Sequence, residues 1–239
     1  MRGGYYYSYG SRGFGLPEAV KYLLIWNGIF FVLQHFILAN GLAFLGGMRI
    51  ELLLGTVPWL IWHKGYVWQF VTYMFLHGGL FHLLFNMLAL WMFGVELERM
   101  WGSRKFLQYY FFTGAGAGLT TAALTPNSPI PTIGASGAIY GILLAYAYYF
   151  PERRVLFYFL IPIPVRVFVI IIGSIAFINS IGQSGGTIAH VAHLGGLLFG
   201  WVYLRIQSGG SFFGDGETRR RRRRPHLEVI DFDDDRRWP

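Results

Sequence analysis

The chain of 239 residues contains no cysteine, which excludes disulfide bridges and thiolate metal sites. Charged residues are also scarce. They make up 13% of the chain, whereas a typical soluble domain has about 25%. The mean hydropathy is +0.42. This composition predicts a membrane protein.

Long stretches lack every charged side chain, namely 22–48, 65–95, 106–151 and 167–204. A membrane-spanning helix needs about 20 apolar residues. The first two stretches therefore hold one helix each, and the last two, which proline or glycine interrupts, hold two each. The predicted helices are 20–42, 80–101, 105–124, 136–150, 167–181 and 189–207. We expect an all-α polytopic membrane protein, with a partly embedded, tryptophan-containing outer loop between the first two helices.

Positive charge is distributed unequally around these helices. If both termini lie on one side, only Arg49 and Lys64 of the 20 Lys and Arg residues lie on the other. Positive charge marks the cytoplasmic side, so both termini are predicted to be cytoplasmic, in a prokaryotic plasma (inner) membrane. The arginine run 219–224 then favours anionic lipid over nucleic acid.

The two ends of the chain differ in composition from the helical part. Residues 1–17 have no apolar core of a signal peptide, and residues 208–239 are polar and charged. We predict a membrane domain over 18–207, flanked by flexible cytoplasmic tails over 1–17 and 208–239.

Two short motifs place serine and histidine at the ends of predicted helices. They are Gly134-Ala135-Ser136-Gly137 and Ala189-His190-Val191-Ala192-His193-Leu194-Gly195-Gly196. Serine beside histidine is the basis of nucleophilic acyl chemistry, and polar groups inside a membrane indicate function. The helix over 136–150 is only about 22 Å long. It must begin below the outer surface, at a depth where Ser136 could meet His193 and Asn86.

Glycines spaced four residues apart favour close helix packing at this depth. They are Gly137 with Gly141 and Gly196 with Gly200. Nearly all carboxylates are expected on the cytoplasmic side. The favoured arrangement is therefore a Ser–His dyad. Glu51 in the outer loop stays open as a third catalytic group.

The proposed chemistry also requires hydrogen-bond donors for a developing oxyanion. Asn86 and His82 lie one turn apart on one helix face, and the backbone N–H of Ser136 is free at a helix start. An aromatic ring such as that of Tyr140 is a candidate to hold the imidazole.

These motifs together resemble the rhomboid family of intramembrane serine proteases. The matching elements are His77-Gly78-Gly79-Leu80-Phe81-His82-Leu83-Leu84-Phe85-Asn86, Glu98-Arg99, Gly134-Ala135-Ser136-Gly137 with Tyr140, and Ala192-His193-Leu194-Gly195-Gly196 with Gly200. The resemblance implies a six-transmembrane-helix rhomboid-like bundle.

The resemblance also implies roles for individual residues. Ser136 becomes the nucleophile, His193 the general base, and Asn86, assisted by His82, the oxyanion donor. Tyr140 becomes the ring that packs on the imidazole. The supporting residues it implies are His190, Gly134, Gly137 and Gly196. Glu98 and Arg99 match a structural polar pair.

One departure is Gln69 after Trp68, where some members carry arginine, and glutamine replaces its hydrogen bonds only partly.

The implied activity is cleavage of single-pass transmembrane proteins in the outer part of the bilayer. No cofactor is expected, and the partners are transmembrane substrates and membrane lipids, not nucleic acid. The helix over 167–181 has few polar anchors, which makes it a candidate gate for substrate.

The sequence also leaves other classes of protein to consider. The alternative is a non-catalytic rhomboid-like protein that binds client transmembrane helices. A transporter is disfavoured because the chain shows no internal repeat. His190 and His193 could ligate a metal, but no His-Glu-x-x-His motif is present, so we expect no metal.

Overall fold

The structure is a computed structural model that describes residues 15–37, 49–157, 160–181 and 187–208. The chain divides into two units, Met1–Leu204 and Arg205–Pro239. In the second unit only 205–208 are described, where the Ser208 hydroxyl donates to the carbonyl of Arg205. The predicted tails over 1–17 and 208–239 therefore fall almost wholly outside the described residues.

Helices account for most of the described chain. Those that overlap the ranges predicted to be helical are α1 Glu18–Val32, α5 Leu80–Ala89, α6 Val95–Trp101, α7 Ser103–Leu124, α8 Ser136–Tyr149, α9 Val165–Ile181 and α10 Thr187–Gln207. The short ones are α2 Ile50–Leu54, α3 Pro58–Lys64 and α4 Gln69–Thr72, followed by the 3₁₀ turn Tyr73–Phe75. A π-helical turn, Leu33–Ile37, extends α1, and another, Leu90–Gly94, joins α5 to α6.

Each range predicted to be helical contains a helix, although the first, 20–42, is described only as far as residue 37. Within the described ranges, two segments, Glu18–Phe36 and Leu80–Trp101, are long and apolar enough to cross a membrane. The segment expected to form the outer loop contains α2 and α3.

A short β-hairpin corrects the expectation of an all-α chain. Strands β1 Arg154–Phe157 and β2 Ile161–Pro164 pair antiparallel between α8 and α9. Proline removes a backbone donor and disfavours helix interiors, and Pro162 and Pro164 lie within the second strand. The apolar residues here therefore form strands and do not extend α9.

The centre of the fold is α7, which packs against α8, α1, α4 and α6. The hydroxyl of Tyr109 donates to the carbonyl of Gly141 at 2.7 Å, and that of Tyr73 donates to the carbonyl of Gly114 at 2.8 Å. Both tyrosines are buried. A buried phenol usually requires such a partner, so these bonds fix the spacing of α7 from its neighbours.

A buried carboxylate ties the start of α1 to α6 and α7. Glu98 is 2% exposed and accepts the backbone N–H groups of Ala19 and Val20, each at 2.8 Å, as well as the Ser103 hydroxyl at 2.6 Å. The first N–H groups of a helix lack partners within it, and carboxylates are favoured there. Arg99 donates to the carbonyl of Gly15, so both Glu98 and Arg99 bind the chain around the start of α1.

We predict that Glu98→Ala destabilises the protein by about 2–3 kcal/mol or more, because buried hydrogen bonds to a charged group are lost. The matched control is Glu152→Ala. It removes an exposed ion pair with Arg166 and should cost about 0–1 kcal/mol. Unfolding of the detergent-solubilised protein measures both variants, and equal losses would contradict the capping role of Glu98.

Candidate active site

Ser136 and His193 meet across two helices. Ser136 is the first residue of α8, His193 lies on α10, and the distance between Ser136 Oγ and His193 Nε2 is 2.8 Å. The backbone N–H of Ile139 bonds the carbonyl of Ala135. The N–H of Ser136 therefore precedes the first hydrogen bond of α8 and remains available to a ligand.

The hydrogen bond depends on contact between the backbones of α8 and α10. A Cβ added at Gly196 would overlap the carbonyl oxygen of Gly137. A Cβ at Gly137 would lie 2.6 Å from the Cβ of Ala117 and 2.7 Å from the hydroxyl of Tyr73. A Cβ at Gly200 would meet the Gly141 Cα at 3.2 Å. Gly196 and Gly200 therefore allow α10 to lie this close to α8, whereas Gly137 makes room for Ala117 on α7 and for Tyr73.

Aromatic stacking holds the imidazole of His193. The ring of Tyr140 lies parallel to it, with a centroid separation of 4.3 Å and an interplanar angle of 4°. The ring of His190 lies one turn earlier and meets that of His193 edge-on at 5.8 Å. Within the described residues, His193 Nδ1 has no hydrogen-bond partner.

Two carboxylates in the described part of the chain bind groups other than His193. Glu51, which the sequence left open, pairs with Arg49 and accepts from Gln34. Glu96 pairs with Arg153. The structure thus places an aromatic ring against the imidazole and turns the carboxylate of Glu51 toward other groups.

His82 approaches Ser136 from α5. Its Nδ1 accepts the N–H of Gly78 at 3.2 Å, so in the neutral ring Nε2 carries the proton and can donate. A Cβ added at Gly134 would lie 2.7 Å from His82 Nε2 and 3.8 Å from Ser136 Oγ. Gly134 also has φ +124°, a conformation that favours glycine. This glycine therefore leaves room for the imidazole of His82 beside the serine.

Asn86 is buried one turn further along α5. Its Nδ2 donates to the carbonyl of His82 at 2.9 Å. An amide nitrogen carries two hydrogens, so the second remains available. The structure thus engages one amide hydrogen within α5 and leaves one for a ligand.

Long-range hydrogen bonds position the segment that carries Gly134. The N–H of Gly134 donates to the carbonyl of Tyr73 at 2.9 Å, and Thr56 and Thr132 exchange two backbone bonds of 2.9 Å. Residues Thr56 and Thr132 are distant in sequence and carry no motif, so sequence reasoning missed them.

The outer loop is held by Gln69, the residue that departs from the expected arginine. Its Oε1 accepts the N–H of Val57 at 2.9 Å, and its Nε2 donates to the carbonyl of Leu52 at 2.7 Å. Trp68 Nε1 donates to the carbonyl of Leu53 at 2.8 Å. Gln69 is fully buried, so both ends of its amide are used to join α4 to the loop.

His77 lies behind His82 and is fully buried. Its backbone N–H donates to Gln34 Oε1 at 3.0 Å, and its ring meets that of His82 edge-on at 5.0 Å. Among the described residues, no group of three or more metal-ligating side chains has a geometry that could hold an ion.

Comparison with known proteins identifies the family to which the chain belongs. A family model for the Rhomboid domain matches residues 64–209, which is more than half of the chain and includes Ser136 and His193. The chain belongs to the rhomboid family and is an integral membrane protein with a helical bundle.

Several curated proteins are similar to the chain. Rhomboid protease GluP of Bacillus subtilis is 38% identical over 152 residues, which cover 62% of this chain and 28% of GluP. Rhomboid protein 1, mitochondrial, of Saccharomyces cerevisiae is 30% identical, covering 65% of this chain and 51% of that protein. RHOMBOID-like protein 1 of Arabidopsis thaliana is 32% identical, covering 64% and 39%. The chain therefore spans between about a quarter and a half of the length of these relatives.

We predict that Gly196→Ala separates α10 from α8 and destabilises the protein by about 1–3 kcal/mol, the usual cost of overpacking. The control is Gly28→Ala on α1, where an added Cβ meets nothing within 4 Å. That change should alter stability by less than about 1 kcal/mol. Unfolding in detergent measures both, and a Gly196→Ala variant as stable as the control would refute the close backbone contact.

Proposed function

We propose that the chain is an intramembrane serine endopeptidase in which Ser136 and His193 form a catalytic dyad. The observation that carries the proposal is the 2.8 Å contact between Ser136 Oγ and His193 Nε2. The stacked ring of Tyr140 supports it, because it holds the imidazole in the plane that this contact needs. The names of two relatives, GluP and the putative rhomboid protease YdcA of Bacillus subtilis, favour the same activity.

The reaction begins with attack of Ser136 Oγ on the substrate carbonyl, while His193 Nε2 takes the hydroxyl proton. Negative charge then develops on the carbonyl oxygen. The donors proposed for this oxygen are the Ser136 N–H, His82 Nε2–H and the second amide hydrogen of Asn86. His193 next protonates the leaving amine, and water hydrolyses the acyl-enzyme.

The membrane arrangement of the proposal has six spanning helices, with both termini in the cytoplasm and the membrane domain over 18–207 between two tails. The 14 residues of α8 give about 21 Å, which is less than a hydrocarbon core of about 30 Å. A short α8 supports a position for Ser136 below the outer surface, within reach of water from that side. The relatives are bacterial, mitochondrial and plant proteins, so a prokaryotic plasma membrane stays a prediction.

The proposed substrate is a single-pass transmembrane protein whose helix enters from the side. Its peptide bond must leave the helical conformation before attack, and glycine or proline lowers that cost. Helix α9 is the favoured gate, because it has few polar anchors and large apolar side chains near its outer end are uncovered. Phe177, Ile178 and Ile181 are more than half exposed, whereas Val165 and Val169 at the other end are buried.

We predict that Ser136→Ala and His193→Ala each abolish cleavage of a labelled transmembrane substrate by the purified protein in liposomes. The matched control is His190→Ala, which removes a neighbouring imidazole one turn away and should retain much more activity than His193→Ala. Full activity of either dyad variant would refute the assignment. Substrate binding without serine-dependent cleavage by the wild-type protein would favour the alternative, a non-catalytic protein that binds client helices.

We predict that Asn86→Ala lowers kcat by about 10²-fold or more, the usual loss when one oxyanion donor is removed. KM should change little, because the interaction strengthens as charge develops. Asn127→Ala in the exposed connector before α8 serves as a control and should behave as wild type. An Asn86→Ala variant with an unchanged kcat would remove Asn86 from the oxyanion site.

A further inference from the structure

The β-hairpin between α8 and α9 has no part in the proposed reaction. Its strands pair Arg154 with Pro164, Val155 with Ile163, Leu156 with Pro162 and Phe157 with Ile161. In an antiparallel pair, alternate residues share a face. Val155 and Phe157 therefore point to one side, and Arg154 and Leu156 point to the other.

One side of the hairpin packs on the protein. Val155 contacts the hydrophobic core, and the ring of Phe157 lies 6.4 Å from that of Phe168 on α9. The N–H of Val165 donates to the carbonyl of Arg153 at 2.7 Å. The hairpin is therefore attached firmly to the first turn of α9.

The other side and the end of the hairpin carry uncovered aliphatic side chains. Leu156 is 58% exposed, Leu160 80% and Ile161 58%. The segment 155–165 contains no charged residue. A clustered apolar surface of this kind marks contact with a membrane or with another protein.

Two observations favour lipid as the occupant of this surface. First, both strands contact α9, and that helix also carries an uncovered aliphatic side chain, Ile170, which is 67% exposed. Second, arginines bracket the apolar segment. Arg166 pairs with Glu152, while Arg154 is exposed on the same face as Leu156. An apolar patch with an arginine at its edge complements an anionic lipid surface.

We propose that the hairpin is an interfacial membrane anchor, with Leu156, Leu160 and Ile161 inserted at the acyl boundary of the cytoplasmic leaflet and Arg154 at the level of the lipid phosphates. The choice of leaflet rests on the topology of the proposed function. The anchor fixes the inner end of α9, where Val165 and Val169 are buried.

The absence of cysteine allows a direct test of depth by spin labelling. A nitroxide is attached at Leu160→Cys, and in a second variant at Leu156→Cys, in the full-length protein in phosphatidylcholine–phosphatidylglycerol vesicles. Ile170→Cys on α9 is the lipid-facing reference, and Asn127→Cys is the water-facing reference. Relaxation by oxygen, which concentrates in the bilayer, is compared with relaxation by a water-soluble nickel chelate.

We predict that the labels at positions 160 and 156 favour oxygen over nickel, as the label at 170 does. Preference for nickel, as at position 127, would overturn the anchor. Protection from both reagents, with line broadening that increases as the protein-to-lipid ratio rises, would also overturn it and would identify a second copy of the chain as the occupant.

The measurement does not require catalysis. It should give the same result in a Ser136→Ala background, so loss of the proposed chemistry and loss of the anchor are separate outcomes.

Discussion

The site depends on the contact between the backbones of α8 and α10. Gly196 lies so close to Gly137 that a single methyl group would overlap a carbonyl oxygen. This contact sets the distance between the two helices, and that distance places His193 Nε2 2.8 Å from Ser136 Oγ. In a membrane, helices associate through packing and hydrogen bonds and gain little from excluding water. The missing side chains of glycine are therefore what allows two polar groups to meet here.

Much of this arrangement could be predicted from the sequence, because it depends on local composition and helical period. Charge-free stretches indicated where the helices lie. The positions of Gly137 and Gly196 beside Ser136 and His193 indicated which helices approach each other. The short distance from Ser136 to Pro151 indicated a short helix, and α8 has 14 residues. Each of these signals is read from residues that are close together in the sequence.

Other features could not be predicted, because they join segments that are far apart in the chain. Glu98 caps α1, which lies 79 residues earlier at Ala19, although sequence reasoning paired this carboxylate with its neighbour Arg99. Gln69 uses both ends of its amide across the outer loop, where only partial replacement of an arginine was expected. The hairpin was missed because an apolar connector containing two prolines has no strict alternation of polar and apolar residues.

The unpartnered Nδ1 of His193 has a consequence for how protons move. Among the described residues, that nitrogen has no hydrogen-bond partner, and the ring of Tyr140 covers one face of the imidazole. In the proposed reaction, a proton that enters at Nε2 finds no relay through Nδ1 within this part of the chain. In that reaction Nε2 both takes the proton from Ser136 and returns it to the leaving amine. One ring nitrogen of His193 thus serves as the base in the first step of the proposed reaction and as the acid in the second.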